Sequence, residues 1–574
     1  MELEQNGHPP HERILRIALL ASSNLDMLPP LLKEGLAEVG LGAEFYVGGF
    51  GQYRQELLKP DSGYYAFKPD VTLLFWDALD IFSPLVEKPL DYAAGVAESQ
   101  GTVIAEECTD LISLALKRVP NQVVLINDLA APAVTSLGLL EGNGPWSVSA
   151  QIEQFNAILR AKVKEHSPKA ALVDYTGLVA RSGQDQWYDQ RFWYLARCRL
   201  GRPALNALAH LYVRYIKATF GKRKKVLVLD LDNTLWGGIV GEDGPEGIRL
   251  GTEGIGLAYR DMQGHILNLW RQGVLLAVNS KNNQADAMEV LGKHPYMVLR
   301  PDYFSSLQIN WRDKATNMVA IADELDLGLD SFVFLDDNPV EREFIKQQLP
   351  QVLILDFPDD PSQLPAMLLD VEAFDAIRLT QEDEKRGEMY QSQSKRKRLE
   401  RSAGSLEEFY RSLEMHASIL PVDSFSLPRA AQMTQRTNQF NVTTRRYSEA
   451  DIASFISNPA WRVYALGLED RFGDNGLVAL AAIEASGDAW RIDTFLMSCR
   501  VLGRTVETAF FGFLAREART AGARYLQGKF IPTTKNDLVK DLFKQHGFED
   551  QGSDHWVLSL KERDIAIPDW VVVN

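Results

Sequence analysis

The sequence predicts a multidomain α/β protein, and three observations support this prediction. At 574 residues the chain is longer than one hydrophobic core normally serves, so several domains are expected. From about residue 13 to 220, apolar runs typical of strands alternate with helical stretches, which indicates a parallel sheet covered by helices. The central region contains further apolar runs that end in polar residues, and residues 415–562 contain patterns typical of antiparallel strands.

The N-terminal region, predicted to span residues 1–221, contains four short apolar runs that read as strands. Polar groups follow two of them, Ser22 and Ser23 after the first and Asn127 and Asp128 after the last. This arrangement resembles a degenerate SGNH-hydrolase domain, which places catalytic groups at such positions. The predicted strands cover residues 14–20, 71–75, 103–105 and 123–126.

The resemblance does not extend to the histidine base of such hydrolases. The Asp-x-x-His pattern of such hydrolases is missing, because Phe192 stands three residues after Asp189. The next histidine along the chain is His210. A serine without a base is not activated as a nucleophile. The sequence therefore favours a scaffold or partner-docking domain over an active hydrolase.

The most informative stretch is DLDNTLWG at residues 230–237. It follows the apolar run 226–229, which reads as a fully buried strand. The carboxylates of Asp230 and Asp232 and the hydroxyl of Thr234 are therefore expected at the carboxyl edge of a parallel sheet, where open α/β folds bind ligands. An Asp-x-Asp pair alone is a weak signal, because many surface loops contain one.

Further polar residues follow in order and strengthen that signal. Ser280 comes shortly after the apolar run 274–277, and Lys314 lies in a helix leading to the next strand. Asp336 and Asp337 close a third apolar run, 332–335. Parallel strands place such residues at one edge of a sheet, so these groups are expected to form one site.

The residue types in this set suit phosphoryl transfer. Asp230 is the candidate nucleophile, and Asp232 is the candidate acid that protonates the leaving group and then activates water. Ser280 and Lys314 are suited to neutralise the phosphoryl oxygens. Asp336 together with Asp230 is suited to hold Mg²⁺, a hard cation that prefers carboxylate and water oxygens.

The four motifs DLDNTLWGG, NSKNN, DK and FLDDNPVER resemble those of the haloacid dehalogenase (HAD) superfamily of phosphotransferases. The longer strings DLDNTLWGGIVGEDG and RDKATNMVAIADEL are similar to the FkbH-like branch, of HAD-IIIC type. The resemblance implies a doubly wound Rossmann-like domain over residues 222–375. It also implies that Mg²⁺ is held by Asp230, by Asp232 through its carbonyl, and by Asp336 and Asp337.

The segment between Thr234 and the helix predicted to begin near Leu257 is short and rich in glycine. It leaves room for a flap hairpin but not for a cap domain. An uncapped site cannot enclose a small substrate by itself. Either another domain covers it, or the substrate arrives attached to something large, such as a carrier protein.

Residues 376–414 are polar and charged and are predicted to form a connecting helix pair. Residues 415–574 are predicted to form a further α/β domain, with antiparallel strands over 461–468, 476–483 and 489–497. After the last strand, a basic turn that contains glycine opens a long helix through Arg519. Such a turn at a helix N-terminus is suited to bind a pyrophosphate.

This C-terminal region resembles the GNAT acetyltransferase fold, whose coenzyme A loop reads R/Q-x-x-G-x-G/A. The resemblance makes Arg500, Gly503 and Arg504 candidate ligands of coenzyme A or phosphopantetheine. Thr505 stands where the last glycine is expected. The alternative interpretation of the turn is a plain helix cap that carries a surface arginine.

Composition excludes several classes of function. The net charge of −16 argues against general nucleic-acid binding and against binding an acidic membrane surface. The basic clusters at 222–225 and 395–398 are interpreted as solvated linkers. An acidic carrier protein would need a local basic patch, and five arginines could supply one: Arg436, Arg445, Arg446, Arg500 and Arg504.

Three cysteines, Cys108, Cys198 and Cys499, are far apart and odd in number, so neither a disulfide framework nor a zinc site is predicted. We see no segment that reads as a signal peptide or a transmembrane helix, and a cytoplasmic protein is expected.

FkbH-like proteins are typical of polyketide pathways, and their best-known activity loads D-glyceryl from 1,3-bisphosphoglycerate onto an acyl carrier protein. Glyceryl-loading members carry a cysteine before the motif-two serine as acyl acceptor. This chain has Asn279 there, and an amide cannot form a thioester. Cys499 lies in another domain and is interpreted as a packed small hydrophobe.

Three hypotheses follow. The first, which we favour, is a Mg²⁺-dependent phosphatase or phosphotransferase that acts on a phosphorylated small or carrier-tethered substrate in secondary metabolism. The second is glyceryl loading by direct transfer to the carrier thiol. The third is a non-catalytic scaffold that docks a carrier protein. The set of Asp230, Asp232, Ser280, Lys314 and Asp336 argues against the third hypothesis, since it keeps the groups that the chemistry needs.

Overall fold

The computed structural model describes residues 13–220, 223–379, 392, 396, 399, 403–437, 439–447, 449–498, 501–533 and 536–574. The chain divides into two compact units. The first combines Met1–Lys225 with Ala366–Thr380, and the second combines Val226–Pro365 with Gln381–Asn574. The α/β class is confirmed, because each unit is built from sheets with helices between the strands. The predicted domain boundaries stay predictions.

The first unit contains a five-stranded parallel sheet of order β2-β1-β3-β4-β5. Helices cover both faces, and an apolar core lies on each side of the sheet. A strand buried on both faces reads as a continuous apolar run, which is why β3 was visible in the sequence. The strands are β1 (Arg13–Ala21), β2 (Leu41–Val47), β3 (Val71–Phe75), β4 (Val123–Asn127) and β5 (Ala170–Val173).

The helices of this unit lie between and after the strands. They are α1 (Leu28–Glu38), α2 (Tyr53–Leu58), α3 (Gly63–Phe67), α4 (Ala78–Ile81), α5 (Ser83–Glu87), α6 (Ala94–Ala97), α7 (Gln100–Arg118), α8 (Val148–Glu165), α9 (Tyr175–Ser182), α10 (Gln184–Trp187), α11 (Gln190–Ala196) and α12 (Arg202–Phe220).

The strand predicted at 103–105 is wrong, because these residues lie inside α7. Val103 is 53 % exposed, while Ala105, Cys108 and Ile112 are buried on the face of α7 that meets the core. Burial at spacings of three and four residues is the helical pattern. A three-residue apolar run is too short to show which period it belongs to.

The second unit begins with another five-stranded parallel sheet, of order β10-β9-β6-β7-β8. Its three central strands confirm the apolar runs predicted before Asp230, Ser280 and Asp336. The strands are β6 (Val226–Leu229), β7 (Leu275–Ser280), β8 (Phe304–Ile309), β9 (Phe332–Leu335) and β10 (Leu353–Ile354). The helices are α13 (Val240–Gly247), α14 (Gly254–Arg271), α15 (Gln284–Lys293), α16 (Lys314–Leu325), α17 (Pro339–Gln348) and α18 (Leu364–Leu369).

Residues 235–253, which we call the flap, differ from the hairpin that the sequence predicted. Gly237 and Arg249 form a single antiparallel bridge, and the short helix α13 lies between them. The Asp243 carboxylate accepts a hydrogen bond from the Ile239 amide at 2.9 Å and so stabilises the start of this helix. The helix is interrupted at Gly244, whose φ of 70° is accessible to glycine at little cost.

The C-terminal part of the second unit contains an eight-stranded sheet of order β16-β17-β15-β14-β13-β12-β11-β18. The three predicted antiparallel strands are confirmed as β12, β13 and β14. The strands are β11 (Met415–Pro421), β12 (Trp461–Asp470), β13 (Gly473–Ser486), β14 (Ala489–Met497), β15 (Tyr525–Lys529), β16 (Glu549–Asp550), β17 (His555–Ser559) and β18 (Val571–Val573).

The described helices of this part are α19 (Leu406–Ser412), α20 (Leu427–Arg436), α21 (Glu449–Ser457), α22 (Val506–Thr520) and α23 (Leu542–Gln545). Helix α19 lies in the predicted linker 376–414, most of which falls outside the described residues. The long helix predicted after the basic turn is confirmed as α22. Among the helices that the structure describes, none combines the length and the apolar character needed to cross a bilayer.

Candidate active site

The carboxyl ends of β6, β7 and β9 meet at one edge of the central sheet. Leu229 pairs with Val278 on one side and with Leu335 on the other. The Asp230 amide continues the pairing by donating to the Leu335 carbonyl at 3.1 Å. This register brings the residues that follow the three strands to the same edge, as the sequence predicted.

Three carboxylates form a compact acidic cluster at this edge. Asp230, Asp336 and Asp337 each offer one oxygen, and these oxygens lie within 4.8 Å of one another. Lys314 Nζ lies 3.0 Å from Asp230 Oδ1 and 2.5 Å from Asp336 Oδ2. One ammonium among three carboxylates leaves the cluster with excess negative charge, and Lys314, Asp230 and Asp336 are all buried.

Protonation in this cluster is shifted away from ordinary values. Burial, followed by the negative charge of Asp230, raises the pKa of Asp336 to about 6, although the Lys314 ammonium opposes the shift. The same two causes raise the pKa of Asp337. Burial alone lowers the pKa of Lys314, but the carboxylates of Asp230 and Asp336 outweigh burial and raise it. The two carboxylates therefore favour the charged form of Lys314 in this site.

The donor set fits a divalent cation. Magnesium prefers hard carboxylate oxygens, and convergent carboxylates with uncompensated charge are the arrangement that binds it. The carboxylates of Asp230, Asp336 and Asp337 are the groups placed to hold the ion. The fourth predicted ligand, Asp232, does not contribute its carboxylate to this cluster, and its carboxylate bonds to other groups.

The Asp232 carboxylate is held by three donors. Oδ1 accepts from Trp236 Nε1 at 2.9 Å and from the Val240 amide at 3.1 Å, and Oδ2 accepts from Asn282 Nδ2 at 2.8 Å. Burial raises the pKa of Asp232, the charge of Asp230 adds to the shift, and the three donors oppose it. A carboxyl with a raised pKa is suited to donate a proton and take one back.

Ser280 and Thr234, the two hydroxyl residues of the predicted site, lie in the same region. Ser280 is the last residue of β7 and is buried. Thr234 Oγ1 accepts a hydrogen bond from the Asp337 amide at 3.2 Å and so links the first motif to the fourth. All the predicted catalytic residues of this region therefore follow the ends of β6, β7 and β9 or begin α16.

Sequence reasoning missed three side chains that organise the site. Trp236 and Asn282 orient Asp232, and Arg342 donates to the carbonyls of Asp336 and Asp337 at 2.7 and 2.8 Å. All three lie inside or next to the quoted motifs. The motifs gave their positions, but their hydrogen-bond partners could not be read from the chain.

The candidate coenzyme-binding turn of the C-terminal domain has a different environment. Arg504 is buried, and its Nη1 lies 3.2 Å from Asp470 Oδ2. Gly503 has a φ of 71°, and its carbonyl accepts from the Tyr410 hydroxyl at 2.7 Å. Arg500 and Cys499 lie outside the described residues.

Asp470 is also bound by Arg396, which belongs to the basic cluster 395–398. Arg396 Nε and Nη2 each lie 2.7 Å from one Asp470 oxygen, and Arg396 is 5 % exposed. The interpretation of this cluster as a solvated linker is therefore wrong for Arg396. Its partner lies 74 residues away in the chain, so local sequence could not reveal the pair.

A segment of the chain, residues 440–443, lies beside the second half of β14, and we call it the inserted segment. The register of β14 with β15 ends at Ile492 and Gly528. Beyond that point the Val442 amide donates to the Phe495 carbonyl at 3.1 Å, and the Met497 amide donates to the Phe440 carbonyl at 3.0 Å.

On its other side, the inserted segment is tied to the chain that follows β15. The Ile531 amide donates to the Val442 carbonyl at 2.8 Å, and Asn536 Nδ2 donates to the Asn441 carbonyl at 3.0 Å. Asn441 and Val442 are fully buried. The backbone groups that an extended ligand would use along this part of β14 are thus bound by the chain itself.

Two other predicted groups have structural partners. Arg445, from the proposed basic patch, forms an ion pair with Asp493. In the first unit, Ser22 Oγ donates to Asp80 Oδ2 at 3.1 Å and accepts from the Asp77 amide at 2.9 Å. Asp80 in turn lies 2.7 Å from Arg199. Ser22 thus contacts a carboxylate that is paired with an arginine.

Comparison with known proteins supports a phosphatase-type domain in this chain. The chain is similar to the crystal structure of the N-terminal part of the protein BF1531 from Bacteroides fragilis, which contains a phosphatase domain and is complexed with Mg. The TM-score is 0.58 at 29 % identity, over 64 % of this chain and 95 % of that one. This neighbour supports a phosphatase-type domain and a magnesium site, while the FkbH-like branch stays a prediction.

Acetyltransferases match a smaller part of the chain. The ribosomal-protein-S18-alanine N-acetyltransferase from Escherichia coli aligns over 25 % of this chain and 94 % of its own at 16 % identity, with a TM-score of 0.21. Spermidine N-acetyltransferase from Vibrio cholerae, in complex with CoA and spermine, gives 0.22 at 10 % identity. Scores of this size carry no inference about activity. Neither a protein-family model nor a curated protein matches the chain.

Proposed function

We propose that this protein is a Mg²⁺-dependent phosphatase or phosphotransferase of HAD type, acting through an aspartyl-phosphate intermediate. The observation that carries the proposal is the buried cluster of Asp230, Asp336 and Asp337 around Lys314, with excess negative charge. The likeness to a magnesium-bound phosphatase domain adds independent support.

In the proposed first step, an Asp230 oxygen attacks phosphorus and the bond from phosphorus to the leaving oxygen breaks. Asp232, protonated at that stage, gives its proton to the leaving oxygen. In the second step water attacks phosphorus, the Asp232 carboxylate takes the proton of the water, and the bond from phosphorus to Asp230 breaks. Inorganic phosphate leaves, and both aspartates return to their starting states.

The other residues of the site stabilise charge and hold geometry. In this proposal Lys314 and Ser280 neutralise or bind phosphoryl oxygens. Trp236 and Asn282 hold the Asp232 carboxylate through hydrogen bonds. A bound Mg²⁺ supplies charge neutralisation for the phosphoryl group and for the carboxylates.

For the substrate, we propose a phosphorylated group that is tethered to an acyl carrier protein or is otherwise part of a larger molecule. The support is the size of the flap, since residues 235–253 contain one short helix and no cap domain. A place in polyketide or related secondary metabolism belongs to the same proposal and rests on the FkbH-like resemblance.

We do not extend the proposal to a coenzyme at the C-terminal domain. Arg504 is buried and pairs with Asp470. The inserted segment forms hydrogen bonds with the part of β14 that does not pair with β15. Glyceryl loading through an acyl acceptor at position 279 also lacks support, because Asn279 is fully buried.

The test is a phosphate-release screen with Mg²⁺ on phosphorylated three-carbon acids and sugar acids, with and without phosphopantetheinylated carrier protein. Release that depends on Mg²⁺ supports the phosphatase. Release from 1,3-bisphosphoglycerate with a glyceryl mass increase on the carrier would instead establish glyceryl loading. If no phosphate is released from any phosphate ester, including p-nitrophenyl phosphate, the proposal is wrong.

A further inference from the structure

Asn279, the residue before Ser280, has a fully buried side chain that points away from solvent. Its Nδ2 donates to the Lys314 carbonyl at 2.8 Å, and its Oδ1 accepts from Asn317 Nδ2 at 3.2 Å. Both partners belong to α16. A side chain at the end of β7 is therefore fastened to the first turn of the helix that carries the site lysine.

Lys314 needs such fastening because its position is unfavourable for a cation. It is the first residue of α16, and the N-terminus of a helix carries partial positive charge. The carboxylates of Asp230 and Asp336 attract the ammonium, but they attract it from the far end of a flexible side chain. The position of the Lys314 backbone, from which this side chain extends, is fixed by contacts to the backbone itself.

The side-chain amides of Asn279, Asn317 and Asn310 supply those contacts as a continuous series of hydrogen bonds. Asn317 Nδ2 also donates to Asn310 Oδ1 at 3.1 Å, and the Asn310 amide donates to the Ser280 carbonyl at 3.1 Å. These hydrogen bonds connect the ends of β7 and β8 to the start of α16. Buried amides that bond to one another and to the backbone specify one arrangement of the groups they join.

We propose that Asn279 is a positioning residue for Lys314, setting the ammonium between Asp230 and Asp336 for phosphoryl transfer. This inference rests on the proposed function. It also assigns a task to the position where glyceryl-loading relatives are expected to carry cysteine. Here the Asn279 side chain faces α16. It therefore positions Lys314 and does not receive an acyl group.

The test compares Asn279→Ala with the matched control Ser306→Ala. Ser306 on β8 donates to Glu324 of α16 at 2.5 Å, so the control loosens the same helix without touching Lys314. With p-nitrophenyl phosphate and saturating Mg²⁺, Asn279→Ala lowers kcat about ten- to a hundredfold, the cost of misplacing a charged group by about 1 Å. KM changes little, and Ser306→Ala keeps kcat within about twofold.

Equal losses of kcat in the two variants would overturn the proposal, since a general weakening of α16 would explain both. Full kcat in Asn279→Ala would overturn it as well. If Asp230→Asn releases phosphate as fast as the wild type, the proposed function fails separately. Crystal structures of both variants then decide: displacement of Lys314 Nζ from Asp230 and Asp336 in Asn279→Ala alone supports the positioning role, and an unmoved Nζ removes it.

Discussion

The acidic cluster of the central sheet and the buried carboxylate of Asp470 in the C-terminal domain balance their charges in opposite ways. In the first, three carboxylates surround one lysine. In the second, one carboxylate meets two arginines, Arg396 and Arg504. Asp470 also accepts from Asn475 Nδ2 at 3.2 Å and from the Phe472 amide at 2.9 Å.

The comparison shows how a structural ion cluster differs from a site that needs a ligand. Asp470 has a donor for each of its oxygens within the chain, so nothing further is required to keep it charged and buried. The acidic cluster is left with negative charge that only protons or a cation can neutralise. Burial, followed by the negative charge of Asp230, raises the pKa values of Asp336 and Asp337.

The largest expected effect breaks the chemistry and leaves the fold. Asp230→Asn removes the proposed nucleophile, and phosphate release falls by roughly 10⁴-fold or more. The amide has the size of the carboxylate, so the thermal unfolding midpoint stays close to that of the wild type. Steady release of phosphate by the variant would remove Asp230 from the nucleophile role.

The converse change lowers the free energy of unfolding and leaves phosphate release unchanged. Asp470→Asn removes the carboxylate that two buried guanidinium groups share, and the free energy of unfolding drops by about 3–5 kcal/mol in denaturant titrations. Phosphate release per folded molecule is unchanged. The control is Asp569→Asn, which removes an exposed partner of Arg411 and leaves the free energy of unfolding close to that of the wild type. Equal losses in the two variants would contradict the structural role of Asp470.

We expect magnesium to stabilise the wild type, because the proposed site exists in the folded cluster and not in the unfolded chain. At a hundred times its Kd the gain is about 2.7 kcal/mol, measured as the increase in unfolding free energy over the protein in EDTA. Asp336→Asn and Asp337→Asn reduce this gain, whereas the exposed Asp313→Asn keeps it. A gain that survives all three changes would place the ion elsewhere.

In metal-free protein the cluster makes stability depend on pH. The pKa of Asp336 is about 6 when folded, above its unfolded value of about 3.9, so the folded state holds this proton more tightly. The resulting stability is complete below about pH 4 and is lost as pH rises through 6, an effect of about 3 kcal/mol. Asp336→Asn removes this contribution from the difference in unfolding free energy between pH 4 and 7. Identical pH profiles of the wild type and the variant would contradict it.

The smallest expected effect concerns the inserted segment. The inserted segment forms hydrogen bonds with the part of β14 that does not pair with β15. We therefore expect coenzyme A to produce no saturable rise in the unfolding temperature of the wild type. Asn441 Oδ1 accepts from the amides of Thr443 and Thr444, so Asn441→Ala costs about 1–3 kcal/mol in unfolding free energy. Saturable stabilisation of the wild type by coenzyme A would restore the coenzyme-binding interpretation of this domain.

The sequence predicted the three middle strands of the central sheet, because buried parallel strands read as continuous apolar runs. The acids after Leu229 and Leu335 were found because a polar residue that closes such a run lies at the carboxyl edge of a sheet. Chemical type and order along the chain were sufficient to predict these elements.

Other features depend on partners that lie far apart in the chain. Arg396 and Arg504 looked like solvent-exposed or ligand-binding arginines because Asp470 is 74 and 34 residues away from them. Helix α13 was missed because its glycines and Pro245 favour turns, and the Asp243 side chain that stabilises its start acts only once the flap is folded.

The bonds of Asp232 to the flap make the flap and the proton of Asp232 thermodynamically linked. The ionised carboxylate accepts from Val240 and Trp236, both of which belong to the flap. Protonation weakens these bonds, and loss of the bonds in turn favours protonation, by the same free energy in both directions. The flap is therefore held most firmly when Asp232 is ionised and least firmly when it is protonated. In the proposed cycle, each proton transfer at Asp232 would therefore change how firmly the flap is held.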